Sequence, residues 1–285
     1  MTRLCVSADP LSAMGTAGAK LTEWVGCPDA ANASDGPQAG LLSGSRGVIF
    51  ADRGAVGDLP FILAPLTTQG ATFVLADALI PEPDLDALLG RLRDEWVQVD
   101  FLVHCAMPAD TGSQGDPYIE TDIVAFQAAM ASCVHGFAAL ARCAAGVMAP
   151  GGSLLTLNWP ATGTTGPGNG LFEVIRAAQA ASVRCLAEDL GPRGIRVNAI
   201  AAGPVGARTS RHRPSRHALP FSGRHRAPLR RDVTSEEVGK TAVFLLSDLS
   251  SGTTGVTLHV DAGQHVIGLR GVAPQRPVPV PPPNE

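Results

Sequence analysis

Between Asn158 and Gln179 the chain reads NWPATGTTGPGNGLFEVIRAAQ, a glycine-rich turn between an apolar run and an amphipathic one. Its polar side chains restrict the chemistry available there. Asn158 and Asn169 carry neutral amides that donate and accept hydrogen bonds without ionising, and Arg176 carries a guanidinium that stays charged at any physiological pH. Such a set suits the stabilisation of an enolate or oxyanion better than proton transfer, the alternative for Arg176 being a purely structural pair with an Asp or Glu. His104 closes the apolar run VDFLVHCA and is either a satisfied core histidine or an acid/base group. Trp159 and Met107 are expected as pocket wall, and Tyr118, in the loop DTGSQGDPYIETD, as a rim contact to substrate.

A second constellation is electrostatic. RTSRHRPSRHALPFSGRHRAPLRR, residues 208–231, holds eight arginines and three histidines with no acid, in a chain whose net charge is −4. Arg208, Arg211 and Arg213 head this run and mark an anionic ligand or partner, the alternative being a disordered basic loop. Nucleic acid is a poor fit, because Phe221 is the only aromatic residue among the arginines.

These residues need elements to position them. RGVIFA (46–51), ATFVLAD (71–77), VDFLVHCA (99–106), GGSLLTLNW (151–159), IRVNAIAAGP (195–204) and GVTLHVDAG (255–263) read as strands. Helices are expected at 59–70, 83–96, Asp122 to Met148, Leu171 to Leu190 with Gly191-Pro192 as its stop, and from the capping box Thr234-Ser-Glu-Glu237 to about Ser247. The alternation predicts an α/β fold, a Rossmann-type doubly wound parallel sheet with helices on both faces. Residues 1–40 form an expected N-terminal arm, 41–270 the domain with 208–231 as a lid loop, and 271–285 a disordered proline-rich tail.

Composition narrows the class. The 285 residues are 45% hydrophobic and 17% charged, enough for one sizeable core. The six cysteines form no CxxC pair, so no metal is expected, and no stretch approaches roughly 18 uninterrupted apolar residues. The expected setting is cytoplasmic.

GGSLLTLNW, LAEDLGPRGIRVNAIAAGPV, VTSEEVGKTAVFLLSDLSSGTTGVTLHVDAG and, more weakly, VDFLVHCAMPA resemble the short-chain dehydrogenase/reductase family in its enoyl-acyl-carrier-protein reductase branch. The resemblance spans roughly residues 95 to 265 and implies a nicotinamide cofactor and a Tyr/Lys pair on the Asn158–Gln179 stretch. On that pattern Trp159 falls at an auxiliary tyrosine, Asn169 at the proton-donating tyrosine and Arg176 at the lysine. The only tyrosine is Tyr118 and the only lysines are Lys20 and Lys240. The phosphate-binding turn becomes VIFADRGAVGDLPF, with Ala51 for the first glycine, Asp52 where phosphate should lie, and a degenerate Gly54 and Gly57. The sheet should be one βα unit short, and Met107 replaces a glycine beside the cofactor path.

From these departures no NAD(P)H is expected. The leading expectation is a non-redox cyclase, isomerase, hydratase or lyase acting on an acyl- or polyketide-like substrate, carried on acyl carrier protein or coenzyme A, with a place in secondary metabolism. The alternatives are a pseudoenzyme subunit paired with an active relative and an atypical NAD(P)H oxidoreductase. The alanine-rich helices suit a homodimer or tetramer as well as a heteromer, without nucleic acid or membrane.

Overall fold

Strands form where the apolar runs are continuous, because a parallel strand covered on both faces has no solvent side to make polar. The computed structural model describes residues 24–26, 40–51, 60–78, 82–96, 98–106, 117–158, 170–203, 205 and 227–267. Its strands are β1 (Trp24–Gly26), β2 (Arg46–Ala51), β3 (Thr72–Asp77), β4 (Val99–Cys105), β5 (Met148–Asn158), β6 (Arg196–Ala202) and β7 (Thr257–Val260). They make one sheet in the order β1-β3-β2-β4-β5-β6-β7. β2 to β7 are parallel throughout.

The side-chain period of two divides the core. Ile49, Phe101, Val103, Leu155 and Ile200 face α1 (Pro60–Thr68) and α6 (Ser235–Leu246), meeting Ile62, Leu66, Val238, Ala242 and Leu245. Val48, Phe50, Leu102, Leu154 and Val197 point the other way onto α2 (Glu82–Trp96), α4 (Gly136–Ala145) and α5 (Gly170–Leu190), meeting Leu88, Leu92, Phe137, Leu140 and Val183. Helices therefore cover both faces, as a doubly wound sheet requires.

The edge beyond β3 shows where this sheet is short. β3 passes to α2 through residues 78–81 alone, so no strand and helix intervene before α2. β1 pairs antiparallel with β3 through Trp24↔Leu75, Val25↔Val74 and Gly26↔Phe73. It lies where a doubly wound sheet ordinarily carries its third parallel strand.

Two helix expectations need correction. The run Asp122 to Met148 is α3 (Ile123–Met130), a π-helical turn (Ala131–His135) and α4, which stops at Ala145 because Met148 already belongs to β5. Asp122 stands outside α3 as its cap, accepting from Val124 N at 2.9 Å and Ala125 N at 3.2 Å. α5 does end at Leu190, but the left-handed residue is Gly194 (φ 74°), after a 3-10 turn over Gly191–Arg193, and not Gly191. The capping box at Thr234 and Glu237 is present with both reciprocal hydrogen bonds.

Candidate active site

In an open parallel sheet the crevice lies beyond the carboxyl ends of the strands, where neighbouring connections leave in opposite directions. Here that point is β2, flanked by β3 and β4. The strand ends bring Ala51, Asp77, Cys105 and Asn158 to one edge, with Ala51 in register with both Asp77 and Cys105, and Asn158 with Ala201. Ala51 and Ala106 are small and buried, so the floor of the crevice is low at its centre.

Asn158 is buried at the end of β5. Arg176 lies on the first half of α5, mostly enclosed, with its Nη1 2.7 Å from Glu173 Oε1 one turn earlier. Burial pulls its affinity for the proton down, and the Glu173 charge partly restores it. An anion approaching Arg176 must therefore compete with a carboxylate already in place.

His104 is placed behind the crevice, inside the core and not on its wall. It is 1% exposed. Its Nδ1 lies 3.2 Å from Thr156 Oγ1, and its ring packs on Phe137 with centroids 5.5 Å apart. Nε2 is buried and has no hydrogen-bond partner among the described residues, facing Gly136 beside the π-helical turn. Desolvation pushes His104 down to about 4, opposed more weakly by the Ser132 backbone.

Tyr118 opens a 3-10 turn, Tyr118–Glu120, and is 50% exposed. Its Cβ packs directly on Gly170, the first residue of α5, so closely that a Cβ at position 170 would collide with it and lie 3.0 Å from the Tyr118 Cγ. The chain's single phenol thus sits where the Asn158–Gln179 stretch becomes helix. Sequence spacing gave no sign of this, because the two residues come from connections after different strands.

Trp159, Asn169, Met107, Arg208, Arg211, Arg213, Gly54 and Gly57 fall outside the described residues. The end of the arginine-rich run is described. Arg231 forks onto Glu237 with N–O distances of 2.8 and 2.5 Å, and its hydrogen bonds, then that of the Thr234 backbone, hold Glu237 down to about 2. His259, Asp261 and His265 cluster at the end of β7, but the two imidazoles stack at 4.0 Å with nearly parallel planes. In-plane lone pairs on parallel rings do not converge, and the Asp261 oxygens already accept from Gly263 N and His265 N, so the cluster locks a turn.

With this geometry in hand, the chain can be placed among known proteins. The family described as Enoyl-(Acyl carrier protein) reductase matches residues 61–265. The chain belongs to the enoyl-(acyl carrier protein) reductase family. It is 37% identical over 258 residues to the Rhizobium meliloti enoyl-acyl-carrier-protein reductase (NADH) 1, an alignment covering 82% of this chain and 94% of that one. The Bacillus cereus enoyl-acyl carrier protein reductase, solved with NADP+ and an indole naphthyridinone, superposes with a TM-score of 0.73 at 30% identity, covering 81% of this chain and 100% of that one. The Anaplasma phagocytophilum reductase, solved with NAD, gives 0.71 at 32% identity over 84% and 99% of the two chains.

These relatives correct three expectations: that no NAD(P)H is used, that the reaction is non-redox or the chain a pseudoenzyme, and that it serves secondary metabolism. A hydride comes from the cofactor and not from a side chain, so substitutions at two positions of one stretch do not by themselves remove redox chemistry. A Rossmann-type site also holds its dinucleotide largely through backbone N–H groups at a helix N-terminus and not through side chains.

The described residues fit such a cofactor at its adenosine end. Asp77 is an exposed carboxylate closing the strand beside β2, roughly 20 residues beyond Gly57, where a Rossmann-type site uses an acid to hold the ribose hydroxyls. The sequence signal for it is the aspartate that closes ATFVLAD.

Proposed function

We propose that the protein reduces the 2,3-double bond of an acyl thioester borne on acyl carrier protein, using NADH. The observation that carries this reading is Asp77 at the carboxyl end of β3, in register with Ala51, in a chain 37% identical to an NADH-dependent enoyl reductase. A carboxylate there accepts hydrogen bonds from ribose hydroxyls and repels a 2′-phosphate, favouring NADH over NADPH. When bound, the reduced nicotinamide supplies the hydride that saturates C3 of the substrate.

The chain's own residues supply the surroundings. Asn158, held at the end of β5, offers a neutral amide to the thioester carbonyl or to the nicotinamide carboxamide. Arg176, paired with Glu173, fixes a charge-compensated floor under the first turns of α5, which limits water and keeps net charge off the reacting end. Arg208, Arg211 and Arg213 meet the acidic surface of the carrier or the phosphate of its arm.

The test is oxidation of NADH by the full-length protein with a crotonyl thioester of acyl carrier protein, followed by absorbance. Substrate-dependent oxidation of NADH, at least tenfold faster than of NADPH, is expected. Asp77→Ala should weaken NADH binding by about tenfold, equivalent to ~1.4 kcal/mol, and narrow that preference. Binding of neither nucleotide by the wild-type protein would sink the reading.

A further inference from the structure

We propose that Tyr118 is the proton donor of this reduction, serving the crevice from the β4 side and not from the stretch that opens α5. The inference rests on the reductase reading above. It begins from a requirement of balance: saturating a C=C bond with one hydride leaves an electron pair on the substrate, and a proton must arrive to complete the second C–H bond.

Among the described residues, few groups can supply it. No residue from Trp159 to Asn169 ionises near neutral pH. His104 is sealed in the core. Glu173 is engaged by Arg176. Asp77 lies at the end of β3, on the side of β2 away from β4 and β5, and is taken up by the ribose in the reading above. Cys105 and Cys133 are buried.

Tyr118 differs from all of these. It follows β4 in the chain, packs on Gly170 at the start of α5, which follows β5, and remains half exposed. It therefore joins the end of the connection after β4 to the end of the connection after β5. Glycine at 170 is what permits the approach, because any Cβ there would occupy the space of the Tyr118 side chain.

The step balances without a further reagent. Hydride adds at C3, the π pair moves to C2 and the thioester oxygen, the Tyr118 O–H bond breaks as the new bond to the substrate forms, and water reprotonates the phenolate. The net change is enoyl thioester plus NADH plus a proton to acyl thioester plus NAD+.

Tyr118→Phe keeps the ring on Gly170 and removes only the hydroxyl. It is expected to lower kcat by about 100-fold or more, to leave NADH affinity within about twofold of wild type, and to abolish the high-pH limb of the rate profile. Gly170→Ala, which evicts Tyr118 from its seat, should lower kcat in the same direction while NADH still binds. A second readout is independent of turnover. Tyr118 is the only tyrosine, so the phenolate band in an ultraviolet difference spectrum reports on it alone, and saturating NAD+ should move that titration to lower pH, since a nearby positive ring favours the phenolate.

Unchanged kcat in Tyr118→Phe, or a phenolate titration indifferent to NAD+, overturns the assignment while the reductase reading stands. A wild-type protein that oxidises no NADH with crotonyl thioester overturns both.

Discussion

At the scale of single residues, His104 shows how burial turns a catalytic candidate into a structural one. The fold holds its ring neutral, at about 4 against 6.5 for free imidazole, chiefly through desolvation beside Thr156 and Phe137, which outweighs the opposing Ser132 backbone. A lowered histidine value confers stability that is complete above about 6.5 and is lost as pH falls toward 4, because there the unfolded chain binds a proton that the folded one refuses. The effect is on the order of 3 kcal/mol. Urea unfolding at pH 7 and at pH 4.5 should show this loss, and His104→Gln should remove most of the difference. His259, held neutral by burial and then by His265, leaves a residual slope of the same sign. A variant as acid-sensitive as wild type would show that His104 does not carry the effect. Residue type and position in VDFLVHCA were enough to raise both readings of His104. Choosing between them required the π-helical turn and Phe137, which approach from a helix that no local pattern ties to β4.

At the scale of elements, α6 is secured at both ends by side chains that sequence reading recovered only in part. Its start was visible as Thr-Ser-Glu-Glu, because a capping box is a local motif. Its end is fixed by Arg196 on β6, whose guanidinium donates to Leu245 O at 2.8 Å, Ser250 Oγ at 2.6 Å and Ser247 O at 3.2 Å. That contact joins residues about fifty positions apart and leaves no trace in either segment. Ser153 on β5 donates to the same Leu245 carbonyl at 2.8 Å, so two central strands hold the carboxyl end of one helix. Arg196→Met should cost about 2–3 kcal/mol in equilibrium unfolding, since buried carbonyls lose charged donors. A loss within about 0.5 kcal/mol would mean that water replaces the guanidinium. The Asp122–Met148 run illustrates the opposite limit: its alanines predict helix, but nothing in them announces the π turn that accommodates His104.

For the whole molecule, the parallel sheet was legible because its central strands are apolar along their entire length, and the missing unit was legible as a shortage of residues between β3 and α2. The substitute was not. Trp24–Gly26 has no periodicity to mark it, and pairing with β3 decides its conformation. Without β1 the parallel sheet would end on the exposed N–H and C=O groups of β3, a template for joining another chain. Val25→Pro, which cannot donate from the residue opposite Val74, should raise light scattering on incubation and increase thioflavin binding, with little change in the unfolding of the central sheet. Unaltered scattering would show that the edge is protected in another way. The same strand constrains the order of assembly. It leaves the ribosome before β2, α1 and β3, and its docking site exists only after all three have been made, so the earliest-synthesised part of the sheet must wait unpaired for a partner still being translated.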